Sequence, residues 1–223
     1  MTNFHIITIF PKIFDSFFKE SLIKKAIEKG LISINIYNLR DFTNDKRRTV
    51  DDKAFGGGKG MVFKIEPIFR AVESIKKGLK GKNKIILFTP RGKEFNQKIA
   101  YSLKNLKDII MICGRYEGVD ERVSKYIADL NLSIGEYDLM GGELPAMVVI
   151  ESVSRLIKGV IGKDELLKER IKDKGFIEYA QYTRPEVFSP EKGKNWKVPR
   201  VLVSGHKKKI DEWREKHQKI IGN

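Results

Sequence analysis

The chain has 223 residues, room for one large domain or for one domain with a small appendage. Hydrophobic residues make up 41% and aromatics 10%, which excludes wholesale disorder and predicts an ordinary globular core. With 44 Lys and Arg against 29 Asp and Glu, the formal charge is +15 and the pI about 9.7, favouring a polyanionic partner, nucleic acid ahead of an acidic membrane. Cys113 is the only cysteine, so an internal disulfide and a cysteine-based zinc site are excluded and a reducing cytoplasm fits. His5, His206 and His217 are scattered, none at H-E-x-x-H spacing, and read as structural or surface residues. The start, MTNFHIITIFPKIF, has no basic lead and its apolar run breaks at Pro11, unlike a signal peptide. No stretch approaches the ~20 apolar residues that span a bilayer, so a cytoplasmic protein without a membrane partner is expected.

In chain order, strand-like apolar runs fall at Phe4–Phe10, Ile32–Asn38, Lys84–Thr89, Asp108–Cys113 and Leu130–Ile134. Helical patterns lie between them: Lys12–Lys29, closed by Gly30, then Pro67–Lys77, Phe95–Leu103, Val119–Ala128 and Pro145–Lys158. Such alternation predicts an α/β fold with a mainly parallel sheet and ligands beyond the carboxyl ends of its strands. From Gly159 to Lys174 the pattern dissolves into VIGKDELLKERIKDK, charged and without a clear apolar face, which reads as a linker. A second unit follows, with GFIEYAQYTRPEVFSPEKGKNWKVPR and a terminal helix predicted over Lys208–Ile221, where Ile210, Trp213, His217, Ile220 and Ile221 make an apolar stripe. The organisation expected is a first domain over 1–159, a linker over 160–175 and a small, mainly helical domain over 176–223. Residues 151–223 carry 18 Lys and Arg against 11 Asp and Glu, about twice the net charge density of the remainder.

Three loops hold the candidate chemistry. RRTVDDKAFGGGKGM fails as a phosphate loop, because Gly58-Lys59 is followed by Gly60 rather than a hydroxyl, and fails as a dinucleotide fingerprint, because Met61 stands where the third glycine belongs. Its glycines still let a backbone approach a flat ligand, and Asp51 and Asp52 can accept from a base edge; a plain surface turn is the competing reading. ICGRYEGVDERV runs a strand into a charge cluster that a salt-bridged helix start would also explain. SIGEYDLMGGELPAM is acidic and glycine-bearing inside a basic chain. Three such loops on one rim would make a cleft of backbone donors and acceptors suited to a nucleoside-like ligand such as adenosine.

The segments VDDKAFGGGKGM, CGRYEGVDERV, SIGEYDLMGGELPAM, ESVSRLIKGVIG, and YTRPEVF with VPRVLVSGH resemble the bacterial tRNA (guanine-37-N1) methyltransferases of the SPOUT class, in order and over most of the chain. The resemblance implies a deep trefoil knot in the α/β domain, S-adenosylmethionine held bent within it, and an obligate homodimer with the active site across the interface. It implies a C-terminal domain that grips the tRNA anticodon arm, and magnesium dependence, although no carboxylate cluster in the sequence marks a metal site. Carried over by position, the cofactor site comprises Thr89, Pro90, Gly114, Ile134, Gly135, Glu136, Tyr137, Asp138, Leu139, Gly141 and Gly142. The target guanine is placed against Asp51, Gly57, Gly58, Gly60 and Glu117.

Guanine N1 is protonated at neutral pH, so methylation there needs a general base, and charge then spreads to O6. A guanidinium suits O6, the role given to Arg155. The base in the family is an aspartate in the interdomain linker. This linker departs from that pattern: Asp164-Glu165-Leu166-Leu167 fits best, making Glu165 the base, while counting back from YTRP lands on Arg170, and Asp164, Glu169 and Asp173 stay open. A non-catalytic RNA-binding protein would explain the charge but not the cofactor loops, and a SPOUT enzyme acting on ribosomal RNA should lack the YTRPEVF unit.

Overall fold

The computed structural model describes residues 1–162, 176–177 and 179–220. Its chain forms two compact units, Met1–Asp164 and Glu165–Asn223. In the first, β1 (Thr2–Thr8), β2 (Ile32–Asn38), β5 (Asn83–Glu94), β6 (Asp108–Ile112) and β7 (Leu130–Ser133) make a five-stranded sheet in the order β2-β1-β6-β5-β7, every neighbouring pair parallel. The five apolar runs are these strands. β6 lies centrally and is buried at every residue, as a strand covered on both faces must be. Ile7, Ile85, Ile110 and Ile112 form one core with α2 (Ile65–Lys76), which contributes Ile68, Ala71, Val72 and Ile75. Each isoleucine or valine among them contributes ~1.5–3 kcal/mol on burial.

The helices α1 (Ser21–Glu28), α3 (Gln97–Leu103), α4 (Glu121–Tyr126) and α5 (Glu143–Ser154) complete the unit. Local chemistry sets several of their ends: Asn96 caps α3 by accepting from Ile99 N, and Asp120 caps α4 by accepting from Arg122 N. The helix expected over Lys12–Lys29 is not continuous. Pro11–Phe14 and Phe17–Lys19 are single 3-10 turns, Ser21 takes φ 54°, and only then does α1 begin. The interruption sends Phe14 into the core while Ile13 and Leu22, assigned to the same face, stay exposed. Gly30 does close α1, at φ 64°.

A two-residue antiparallel ladder, β3 (Asp51–Asp52) with β4 (Val62–Phe63), has no counterpart in the periodicity. It makes the glycine-rich stretch a loop between paired strands instead of a loop at the end of a sheet strand. β5 is longer than expected and irregular: Phe88 and Lys93 both stand opposite Leu132, so the backbone leaves the ladder and rejoins it at the same partner.

The second unit is less helical than expected. α6 (Arg200–Val203) and α7 (Lys207–His217) accompany a hairpin of β9 (Val187–Glu191) and β10 (Lys194–Lys197), and β8 (Phe176–Ile177) pairs with β11 (Lys219–Ile220). The terminal helix therefore stops at His217, Ile220 is in a strand, and Ile221 lies outside the described residues. An aromatic cluster holds α7: Tyr179 and Tyr182 meet Trp213 edge-on at 6.2 and 6.3 Å, and His217 stacks on Trp213 at 4.1 Å.

Candidate cofactor cleft

The carboxyl ends of three adjacent strands, β6, β5 and β7, open into a cleft of about 800 Å³, within the range of small-molecule sites. β5 contributes Thr89, Pro90 and Arg91; the loop after β6 contributes Gly114 to Val119; the loop after β7 contributes Ile134, Tyr137, Asp138, Leu139, Gly141 and Gly142. Of the cofactor residues expected, Gly135 and Glu136 alone stand in the loop without lining the cleft. Ser133 Oγ fixes this loop, donating to Gly135 O at 2.8 Å, while Tyr137 Oη donates to Ile134 O at 3.1 Å.

The glycines are there because two backbones touch. Gly142 N donates to Gly114 O at 3.0 Å, and a Cβ on Gly142 would lie 2.7 Å from Cys113 Cα. A Cβ on Gly141 would run into Arg115 and Glu143. Beneath that contact is an ion pair the sequence did not reveal. Arg115 Nε donates to Glu143 Oε2 at 2.9 Å, and Thr8 Oγ1 donates to Glu143 Oε1 at 2.7 Å. The Glu143 side chain is 1% exposed and that of Arg115 17%, with the guanidinium over the Phe10 ring at 4.9 Å. The signal available was an acid at the first turn of a helix after a double glycine; its burial followed only from the fold. Burial, then the Glu143 charge, push the Cys113 thiol well above its ordinary value, with Arg115 opposing, so Cys113 stays a thiol.

On the rim, Arg91 pairs with Glu121 at 2.8 Å and Arg122 with Asp120 at 2.6 Å, so much of the DERV charge cluster is structural. Hydrogen bonding from Arg122 holds the Asp120 carboxyl below its ordinary range. Among the described residues neither Glu117 nor Asp138 is ion-paired, and the cleft wall keeps uncompensated negative charge. Asn131 Oδ1, in the same wall, is buried without a hydrogen-bond partner. No three His, Cys, Asp or Glu side chains are grouped as metal ligands among the described residues.

The loop 114–120 is zipped to β4: Glu117 N donates to Met61 O, Phe63 N to Gly118 O and Asp120 N to Phe63 O. Gly60, at φ 92°, packs on Glu117, whose Cγ would lie 2.6 Å from an added Cβ. Gly60 and Glu117 are thus brought together beside the cleft, whereas Asp51, Gly57 and Gly58 do not line it. Arg155 caps the far end of α5, ~20 Å along the helix from Gly142 at 1.5 Å per residue. Glu165, Asp164, Glu169, Arg170 and Asp173 lie outside the described residues.

Fold and cleft together define an α/β protein with a ligand-sized cleft at the strand ends of a parallel sheet, and the comparisons make it a methyltransferase acting on tRNA. Residues 2–221 match the model of the family tRNA (Guanine-1)-methyltransferase TrmD, and the chain belongs to that family. The tRNA (guanine-N(1)-)-methyltransferase of Dictyoglomus turgidum is 51% identical over 216 residues, 97% of this chain and 84% of that protein. That of Clostridioides difficile is 47% identical, covering 95% and 90%. The crystal structure of tRNA (m1G37) methyltransferase from Aquifex aeolicus matches with a TM-score of 0.78 at 37% identity, over 97% of this chain and 88% of that one. The enzyme methylates N1 of guanine in tRNA. Among the described residues no helix is long and apolar enough to cross a membrane.

Proposed function

We propose that the enzyme takes its methyl group from S-adenosylmethionine bound in the strand-end cleft and places it on guanosine 37, 3′ to the anticodon. The observation that carries this reading is the cleft itself, closed on one side by the Gly142–Gly114 backbone contact and lined by Glu117 and Asp138, which have no ion pair among the described residues. Its chemistry fits the ligand. Backbone groups of the 134–139 loop suit an adenosine edge, and the carboxylates of Glu117 and Asp138, without ion pairs among the described residues, tolerate a cation. When bound, the cofactor supplies a sulfonium-activated methyl.

This chain's residues then have to hold the guanine, remove its N1 proton and stabilise O6. Gly60 and Glu117 form the wall against which the base rests. Glu165 takes the proton and the Arg155 guanidinium faces O6, where a water-poor site strengthens the interaction. Arg155 reaches a cleft only if a second copy supplies it. Leu144, Val148, Glu151 and Arg155 recur at helical spacing on α5, and the first three are exposed. Two exposed apolar residues, Leu144 and Val148, in line with the required arginine support a homodimer with the active site across its interface.

The proposed knot follows from the family resemblance, and close backbone approaches support it. A Cβ on Gly92 would stand 2.5 Å from the Leu132 carbonyl carbon, and one on Gly142 2.7 Å from Cys113 Cα. For the second unit, a grip on the anticodon arm is supported by α7, which opens with Lys207, Lys208 and Lys209 and has no acid in its first turn. Three cations against the positive end of a helix dipole are unfavourable without a polyanion to meet them.

A labelled-methyl assay on tRNA transcripts with guanosine or adenosine at position 37 tests the reading, with product analysis for 1-methylguanosine. Incorporation that persists on the adenosine transcript overturns the position, and absence of S-adenosylmethionine binding in calorimetry overturns the donor.

A further inference from the structure

We infer that Phe55 is a base-stacking residue for the tRNA, the aromatic face against which the guanine entering the cleft is held. The inference rests on the reading that the target base lies against the wall formed by Gly60 and Glu117. Phe55 is the most exposed of the large hydrophobic residues described, with no part of its ring covered. Full exposure of a phenylalanine is unfavourable, and nothing in its own unit compensates it. Its position is not arbitrary. The β3–β4 ladder pins both feet of the loop, and Gly60 seats the returning strand on Glu117, which lines the cleft. Phe55 is five residues from Gly60, at most ~17 Å of chain, so the ring can be carried over the cleft mouth without moving the ladder.

The three residues after Phe55 are glycines at φ 83°, 84° and 125°, with open space around each. Such a hinge lets the ring turn without a side chain to block it. Cations surround the same loop: Lys53 and Lys59 within it, and Lys46 and Arg47 on the turn before β3, all exposed and without ion pairs among the described residues. Asp51 and Asp52 sit at its foot, where Asp52 accepts from Lys53 N. An exposed ring among unpaired cations is the pattern that binds unstacked nucleotides, the ring taking a base face and the cations the phosphates. A guanine taken out of an RNA stack loses two faces of contact, and one aromatic restores one of them.

The test uses the full-length enzyme and a tRNA transcript carrying guanosine 37. Phe55→Ala and Phe55→Leu are expected to lower the second-order rate constant of methyl transfer roughly 5- to 100-fold, the loss expected for one base–aromatic stack. Phe55→Trp should recover most of it, and its added fluorescence should be quenched by the transcript. S-adenosylmethionine affinity and sedimentation should match the wild type in all three. A leucine variant as active as wild type, an alanine variant without loss, or a change in cofactor affinity or oligomeric state overturns the inference, the last by making Phe55 a subunit contact. If the wild type transfers no methyl to guanine 37, the underlying reading fails first and takes this one with it. Full activity of wild type and Phe55→Ala alike sinks the stacking role alone.

Discussion

Two glycine-bearing loops of the first unit use the same residue for opposite ends. Around Gly141 and Gly142 the side chain is missing because there is no room: Cys113, Arg115 and Glu143 fill the places a Cβ would take. Around Gly56, Gly57 and Gly58 there is nothing within 4 Å, and the side chain is missing because the backbone turns left-handed. The first loop is locked and the second is free, which suits the one to the cofactor proposed for the cleft and the other to the proposed substrate. Glycine content alone would have ranked them equal.

Substitutions can break this contrast. The largest effect is expected from Glu143→Ala, which leaves Arg115 without its partner under the locked loop; about 3–5 kcal/mol should be lost in urea denaturation. A loss under 1 kcal/mol would show that the pair does not fasten the cleft. Gly142→Ala follows, at about 3 kcal/mol or the upper end of overpacking costs, because its Cβ meets backbone that cannot swing aside. Calorimetry should show S-adenosylmethionine binding lost with it. Gly57→Ala sharpens the comparison from the other side. It should cost only about 1–2 kcal/mol, the left-handed penalty, leave cofactor binding intact and slow methyl transfer. If Gly57→Ala abolishes cofactor binding, the two loops are not independent.

The smallest effect concerns the rim. Asp120→Ala removes the α4 cap and should cost about 1 kcal/mol, read as a shift in denaturation midpoint. Its carboxyl is held low by hydrogen bonds from Arg122, so the stabilisation is present at neutral pH and fades as pH falls below the ordinary carboxylate range toward the lowered value. The difference between wild type and variant should therefore narrow in acid. Asp120 and Arg122 are partly exposed, and added salt should shrink it further.

The five sheet strands were legible because each is a short apolar run bounded by polar residues, and burial on both faces leaves no other use for Asp-Ile-Ile-Met-Ile. The break within Lys12–Lys29 was not, since Phe14, Phe17, Phe18 and Leu22 keep helical spacing across it and only tertiary packing separates them. The hairpin Val187–Lys197 escaped notice because its exposed faces carry little apolar alternation. Most of the cleft was legible through family resemblance, and its backbone character through the glycines. The Thr8–Glu143–Arg115 network was hidden by distance: its members sit 135 and 28 residues apart, and neither pairing has a local signature.

Leu132 faces Phe88 on one side of the β5 excursion and Lys93 on the other. The four residues between them, Thr89 to Gly92, form an eyelet whose circumference is set by a single partner. One residue more or fewer would invert the inward and outward alternation on one arm while leaving the other correct. Insertions and deletions should consequently be purged here. An alignment of relatives ought to show a gapless window at 88–93, making its length a stricter heritable trait than the identity of the residues that fill it.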